Sequence, residues 1–576
     1  MVRSARRDIR GGIAALALCL AVTGVVAAPK VRAAEPPKGS VWSETYIETP
    51  YGESLHVDVM RPKGLTNKDK TPVILIVSPY LGMVSNTEQP GPSNRFYDFI
   101  DGADVFDRGY SVVMVSLRGT GGSSGCLDIL GPGEQTDIET AVKWASSQPW
   151  STGKVGMYGK SYDANTGVAA AALRPKGLAA VVAQQVVPDR YRGSYNDRVR
   201  YAQSVVYPSA SYGAQGEGMF SIYNDQEYVV NSVSHTADCQ ALLAEHYVDD
   251  ESIEFWRNRD FVERAKNSKV PTFLTVGYLD ANTNIGGGAV EFFNALKGPK
   301  RMWIGWWDHV RGNDMAGTRL AMGRTGFFDE VMRFFDRYVK GVPASKAPTH
   351  RDPVIAAQSS DGKWRKESQW PPPDAKVLQA PVLEGSYEDD GTNLGSEDSA
   401  AGPGGQQPVR GAQTGFGSWT FSKALPYDAH ILGTPTAKID VSPMAPRTNL
   451  AVNIYDVAPD GTSTMISRGA AMVDEAGDEK VLMYPTDWIL KKGHRVGLLV
   501  SGANAEAYVH VPTHTSVTVN GGTIGLPFLG RSRDRYIPGA PAPRLESWKT
   551  TAPFTVDKAT IDDRTNPKFK APAKQR

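Results

Sequence analysis

The chain has 576 residues, 41% hydrophobic and 22% charged, with a formal net charge of +1. That length exceeds one hydrophobic core, so two or more domains are expected. The near-neutral balance excludes a global field that would recruit nucleic acid or an anionic membrane, and a composition this ordinary leaves the chemistry open.

At the N-terminus, Arg3, Arg6, Arg7 and Arg10 precede an apolar run from Gly11 to Ala28 and a small-residue stretch ending near Ala34. This order predicts a secretory signal peptide over residues 1–33, with cleavage favoured after Val31-Arg32-Ala33. A membrane anchor is the alternative, disfavoured because the run is short and broken by Gly and Thr. No stable membrane insertion is therefore expected after cleavage, and the exported chain is predicted to be secreted. The Arg6-Arg7 pair is a poor twin-arginine signal, and Leu18 before Cys19 argues against a lipobox. Of the three cysteines, Cys126 and Cys239 remain after cleavage. In an oxidising compartment they predict a single disulfide, with two buried thiols as the alternative.

From residue 41 to 342, strand-like and helix-like segments alternate. Val73 to Val77, Ser111 to Val115 and Ala179 to Ala183 are short apolar runs suited to strands buried on both faces. Glu134 to Ser146 carries helical spacing between them. The alternation predicts a wound α/β domain. Over about 189–268, Tyr, Ser, Asn and Glu dominate and no buried strand run appears, which predicts a helical insertion capping the sheet. After Pro343 the pattern turns to short alternating strands separated by Pro- and Gly-rich turns, so 343–562 reads as a β-sandwich or jelly roll. Residues 563–576, rich in Pro and Lys, are expected to form a flexible tail.

The sharpest motif is Val155-Gly156-Met157-Tyr158-Gly159-Lys160-Ser161-Tyr162-Asp163, a strand running into a Gly-x-Ser turn and then an Ala-rich helix. In an α/β hydrolase such an elbow holds the nucleophilic serine above the sheet and aims the next N–H, here that of Tyr162, at a developing oxyanion. A P-loop fails because Lys154 stands where its first glycine is needed. Gly119-Thr120-Gly121-Gly122 is followed by turns rather than a helix, which excludes a dinucleotide fingerprint.

A serine hydroxyl needs a histidine to take its proton and an acid to orient that histidine, in the chain order Ser, acid, His. Of the six histidines that follow a plausible acid (His309, His350, His430, His494, His510 and His514), only His309 lies inside the α/β region, just past the strand-like Arg301 to Gly305. Asp280 follows the strand-like Pro271 to Val276 and is the favoured acid. Asp308 competes, but adjacency to His309 makes the side-chain geometry difficult. Tyr80, after the third strand, is left open by spacing alone between a packed tyrosine and a second oxyanion donor.

Together with Arg118-Gly119-Thr120-Gly121 and Gln148-Pro149-Trp150-Ser151, the Gly159-to-Asp163 motif resembles the Xaa-Pro dipeptidyl-peptidase and cocaine-esterase (CocE/NonD) superfamily. The resemblance implies an α/β-hydrolase fold with a helical cap and a C-terminal all-β jelly-roll domain. It implies Ser161, Asp280 and His309 as a triad, and Tyr80 as oxyanion donor beside the N–H of Tyr162. Ala164 and Ser116 depart from the family pattern where Gly and Asp are common.

The expected activity is hydrolysis of a small peptide or ester through an acyl-enzyme, with Xaa-Pro dipeptide release ahead of carboxylesterase or acylase action. An inactive scaffold serving as a binding module is the remote alternative. A dipeptidyl-peptidase must hold a free ammonium, for which Asp197, Asp225, Glu227 and Glu245 in the cap are candidates. No cofactor or metal is expected: His510 and His514 flank Pro512 in a strand-like region, and Glu388-Asp389-Asp390 with Asn393 reads as a solvated loop rather than a Ca²⁺ site. No nucleic-acid partner is expected, and oligomeric state has no signature in the sequence.

Overall fold

The computed structural model describes residues 35–82, 91–206, 227, 230–231, 239, 242–313, 320–390, 417–504, 507–551 and 553–575. The expected signal peptide, Asp225 and Asn393 lie outside these residues. Among the described residues no helix is long and apolar enough to cross a membrane.

The first domain is built on β1 (Ser40–Glu48), β2 (Ser54–Pro62), β3 (Thr71–Ser78), β4 (Ser111–Ser116), β5 (Ser151–Lys160) and β6 (Leu178–Gln184). A two-stranded hairpin, β7 (Tyr195–Asn196) with β8 (Val199–Arg200), lies in the cap, and β9 (Thr272–Gly277) and β10 (Lys300–Gly305) complete the run. The sheet continues through β11 (Ile355–Gln358) and β12 (Trp364–Glu367), in the order β1-β2-β4-β3-β5-β6-β9-β10-β11-β12, with Tyr536–Ile537 at the far edge. Pairing is parallel from β4 to β11 and antiparallel at both edges.

The apolar runs explain the layering. Every residue of β3 and β4 is buried. Successive strand side chains point to opposite faces, so Val73, Leu75 and Val77 pack with α2 (Pro132–Ser147) and α3 (Tyr162–Leu173). Ile74 and Ile76 pack instead with α1 (Tyr97–Gly102) and the helix Phe327–Phe335. Among the described residues between β6 and β9, the cap combines the β7–β8 hairpin with short helical turns. Its own small core is Tyr191, Tyr195, Phe255 and Trp256.

The second domain is a 12-stranded sheet in which every strand pairs antiparallel. Its longest strand, Ser516–Leu529, pairs with both Ala375–Val382 and Thr436–Pro443. The cap is tied to this domain by the Arg198–Asp474 ion pair at 2.6 Å and by Asn196 Nδ2 donating to the Tyr508 hydroxyl at 3.0 Å.

Two expected boundaries are corrected. The α/β sheet does not stop at residue 342, because β11 pairs with β10 from Met302↔Ile355 to Ile304↔Ala357. Four-residue strands are too short to stand out as apolar runs. Residues 563–575 are also not a free tail: the Phe421 N–H donates to the Arg564 carbonyl and the Asn566 N–H to the Phe421 carbonyl, both at 2.9 Å, and Phe569 is buried. Its Pro- and Lys-rich composition conceals these two anchors.

Candidate active site

β5 ends in a turn that places Ser161 at φ 68°, ψ −126°, and α3 begins at the next residue. Positive φ is costly for a residue with a side chain and persists only where the surroundings enforce it. Here the Ser161 N–H donates to the Gln184 carbonyl at 2.9 Å, and the Ser161 carbonyl accepts from the N–H groups of Ala164 and Asn165 at 3.0 Å. Position 159 must be glycine, since a Cβ there would sit 2.3 Å from the Asp163 carbonyl oxygen. Ser161 thus stands at the start of α3, where the N–H of Tyr162, the first helical residue, has no acceptor within the helix.

Ser161, Tyr80 and Tyr162 line one cleft. The Tyr80 phenol is hydrogen-bonded to Ser161, and its ring meets that of Tyr162 edge-on at 6.4 Å. The Arg95 guanidinium lies 4.3 Å from the centre of the Tyr80 ring while its Nε donates to Asp163 Oδ2 at 2.8 Å. Burial, then the Asp163 charge, push the Tyr80 phenol up against the opposing pull of Arg95. The phenol therefore keeps its proton at neutral pH and is available as a donor. On the other side of the elbow, the Tyr162 phenol donates to buried Glu134 at 2.8 Å.

Asp280 and His309 follow the C-terminal ends of β9 and β10, and His309 Nδ1 lies 2.9 Å from Asp280 Oδ2 and 3.1 Å from Oδ1. The acid is further held by the N–H groups of Asn282 and Thr283 at 2.9 and 3.0 Å and by the Thr283 hydroxyl at 2.6 Å. Burial pushes the Asp280 carboxyl up, but the His309 charge and these donors outweigh it and hold it below its ordinary value. Asn282 and Thr283 also line the Ser161 cleft. Asp308 lies 3.6 Å from Arg544 in an ion pair. It is Asp280 that hydrogen-bonds the imidazole.

Two glutamines at the end of β6 fix the histidine loop. Gln185 Nε2 donates to the carbonyls of Asp308 and Val310 at 3.2 and 3.0 Å, and its Oε1 accepts from the Gly277 N–H at 3.1 Å. Gln184 Oε1 accepts from the Gly312 N–H at 2.8 Å. Neither glutamine has a motif that announces it, and the same is true of Arg95 and Glu134. Their partners are remote in sequence, so only the fold reveals them.

Of the described cap carboxylates, Asp197 lines a separate cleft with Tyr191 and Lys480, Glu227 accepts from the Ser54 hydroxyl at 3.1 Å, and Glu245 is exposed. Among the described residues, Arg190 is the charged side chain lining the Ser161 cleft, with His246, Ser194 and Ser204 also in the lining. In the second domain Asp389 accepts from His510 at 2.6 Å and from the Thr513 N–H at 2.9 Å. Among the described residues no group of three or more His, Cys, Asp or Glu side chains is placed to hold a metal ion. Cys126 and Cys239 stand with their Cα atoms 5.2 Å apart.

Comparison with known proteins agrees with this architecture. Residues 52–311 match the X-Pro dipeptidyl-peptidase (S15 family) model, and residues 347–552 match the X-Pro dipeptidyl-peptidase C-terminal non-catalytic domain. A cocaine esterase from Rhodococcus sp. is 23% identical over 551 residues, covering 81% of this chain and 92% of the esterase. A Bacillus anthracis protein bearing the name of an Xaa-Pro dipeptidyl-peptidase is 24% identical over 541 residues, covering 83% and 84%. An alpha-amino acid ester hydrolase shares the fold with a TM-score of 0.65 at 18% identity, over 88% of this chain and all of that one. A CocE/NonD family hydrolase from Staphylococcus aureus does so with a TM-score of 0.63 at 17% identity, over 85% and 94%. The chain belongs to the Xaa-Pro dipeptidyl-peptidase and cocaine-esterase superfamily and is a serine hydrolase of that superfamily.

Proposed function

We propose that this chain is an exported acyl hydrolase working through Ser161, His309 and Asp280. The observation that carries the reading is the bond between His309 Nδ1 and Asp280, on a strand-end loop beside the cleft where Ser161 meets the Tyr80 phenol. With Nδ1–H donated to the carboxylate, Nε2 is the basic nitrogen. Ser161 Oγ attacks the substrate carbonyl carbon and its proton passes to His309 Nε2. The resulting oxyanion is received by the Tyr162 N–H and the Tyr80 O–H. Collapse expels the alkoxide or amine, which takes the proton from His309 and leaves an ester on Ser161. Water, activated by the same imidazole, then releases the acid and restores the hydroxyl.

Export is supported by the basic, apolar and small-residue order of residues 1–33 and by the proximity of Cys126 and Cys239, suited to a disulfide of an oxidising compartment. The substrate divides the family's two named activities. Release of Xaa-Pro dipeptides is supported by the S15 family match. One observation favours ester or acylase action instead: the described lining of the Ser161 cleft presents Arg190 and no carboxylate for an N-terminal ammonium. The test pairs labelling by a fluorophosphonate probe with turnover of a Gly-Pro anilide and a short-chain aryl ester. Labelling lost in Ser161→Ala, with the ester turned over in preference, is the expected result. Labelling that survives in Ser161→Ala overturns the assignment of the nucleophile, and a preference for the anilide overturns the ester reading.

A further inference from the structure

The cap's arginines divide sharply. Arg192 pairs with Glu291 at 3.1 Å, Arg198 with Asp474 at 2.6 Å, and Arg264 donates to Gln135 at 2.7 Å. Arg200 donates to the Tyr195 hydroxyl at 2.8 Å, Arg257 to the Ser252 carbonyl, and Arg259 to the Ile129 carbonyl at 2.9 Å. Arg190 alone among them has neither ion pair nor side-chain hydrogen bond among the described residues; its Nε, like those of Arg192 and Arg200, is buried with no acceptor, but those two arginines are held through their terminal nitrogens. A buried guanidinium nitrogen without an acceptor is costly, and proteins leave few such groups without a purpose. Arg190 lines the Ser161 cleft and acts on the Tyr80 phenol through its charge.

A second donor stands beside it. Arg190 opens the helix Arg190–Ser194 that Ser194 ends, and residues four apart share a helix face. His246 Nδ1 accepts from Arg200 at 2.9 Å, so its Nε2 carries the hydrogen and donates to Ser194 Oγ at 3.1 Å. Burial, reinforced by the charges of Arg200, Arg190 and Arg259, holds His246 well below its ordinary value, and the ring is neutral with this tautomer. The Ser194 oxygen is thus occupied as an acceptor while its own proton is left for an acceptor in the cleft, where Ser194 is also part of the lining.

Resting on the acyl-hydrolase reading above, we propose that Arg190 and Ser194 form a carboxylate receptor, so that the substrate carries an anionic carboxylate near its reacting carbonyl. Arg190 supplies the charge-assisted, two-pronged contact and Ser194 a third hydrogen bond, with His246 as the positioning residue behind it. The same cation repels a free N-terminal ammonium, so the receptor selects against aminopeptidase substrates as well as for anionic ones.

The test uses the full mature protein and aryl esters matched in length. An aryl hemisuccinate is compared with its methyl-capped diester, and a carboxyphenyl butyrate with phenyl butyrate. The first pair reads a carboxylate on the acyl side, the second one on the leaving group. The expected result is a kcat/KM preference for the charged member of one pair, on the order of 10- to 100-fold. Arg190→Met should abolish that preference and Arg190→Lys should retain part of it. Ester hydrolysis with no preference for either charged member, or a preference that survives in Arg190→Met, overturns the receptor. No hydrolysis of any ester and no fluorophosphonate labelling would overturn the catalytic reading, and the receptor with it.

Discussion

The Asp280 carboxylate receives the Nδ1 edge of His309 at 2.9 Å and is itself held by the hydroxyl of Thr283 at 2.6 Å and the N–H groups of Asn282 and Thr283. Every one of these partners is a donor, so the site is built for a charged carboxylate. Asp280→Asn presents an amide whose NH₂ cannot accept from Nδ1–H, which drives the imidazole toward the other tautomer. We expect kcat to fall on the order of 10³- to 10⁴-fold, with a lower melting temperature as well because the buried amide NH₂ faces donors only. The His309 charge and the donors hold the Asp280 carboxyl below its ordinary value despite burial. Its contribution to stability is therefore present above the unfolded pKa near 3.8 and is lost as pH falls through the lower folded value. Full turnover in Asp280→Asn would return the orienting role to another group.

Tyr80→Phe removes the proposed second oxyanion donor and keeps the ring that packs under Arg95. Loss of such a donor costs on the order of 10²- to 10³-fold in kcat, and KM should change by much less. Because burial and the Asp163 charge push the phenol up, ionisation of Tyr80 should impose no alkaline limb on the wild-type rate below pH 10. Steady-state kinetics from pH 6 to 10 on both proteins reads both effects. Equal loss in kcat and in substrate affinity would point to packing rather than to the transition state.

Glu134 links the elbow to the helix beneath it, accepting from the Tyr162 phenol at 2.8 Å and from the Asp128 N–H at 2.9 Å. Burial, reinforced by the Asp128 charge, pushes its carboxyl up to about 8. Between the ordinary value of 4.5 and about 8 the unfolded chain has released this proton while the folded chain retains it, so the group's contribution to stability falls as pH rises through that window. Glu134→Gln keeps a carbonyl acceptor and removes the titration. Its stability relative to wild type should grow from pH 5 to pH 8 in urea unfolding. Parallel curves for the two proteins would mean that Glu134 is already ionised in the fold.

How much of this site is legible in the sequence follows from where the determinants lie. The elbow is legible because Gly159, Ser161 and the start of α3 are neighbours in the chain, and the clash that demands glycine at 159 involves a residue four positions on. Asp280 and His309 are legible through strand-end position, since apolar runs mark β9 and β10. Tyr80 needs the family resemblance, because one tyrosine after one strand has no spacing of its own. Arg95, Gln185, Glu134 and Arg190 are hidden for one reason: their significance lies in what the fold brings to them. In Arg190 it lies in what the fold withholds. Strands of four residues and a Lys-rich terminal segment are hidden for a different reason, because few side chains there carry the apolar signal.

Cys126 lies in the loop before α2 and Cys239 in the cap, 113 residues apart in sequence. A bridge between them ties the cap to the segment leading into the elbow and restricts a long loop of the unfolded chain. Removal of such a link costs about 2–5 kcal/mol, so Cys126→Ser should lower the melting temperature of the protein. Denatured, unreduced protein should show no free thiol. A count of two would leave both cysteines as buried thiols and exclude the bridge.

Gln185 joins three segments of the site. Its Nε2 donates to the carbonyls of Asp308 and Val310, which flank His309, and its Oε1 accepts from the N–H of Gly277, three residues before Asp280. One amide therefore sets the spacing between the His309 and Asp280 loops, although it touches neither side chain. Gln185→Ala leaves two carbonyls and one N–H without that partner in a buried position, and the His309 loop loses its tether. A displacement of about 1 Å in a reacting group can cost on the order of 10²-fold in rate, so kcat should fall by about that factor. KM should hold, because Gln185 is absent from the lining of the Ser161 cleft. Gln185→Glu supplies the separating control: it keeps one acceptor for Gly277 but cannot donate to the two carbonyls when ionised. Its activity should recover toward acid pH, as the carboxyl regains a proton to donate, while Gln185→Ala shows no such recovery. A pH profile of the same shape for both variants would reduce Gln185 to a packing residue and leave the positioning of His309 to Asp280 alone.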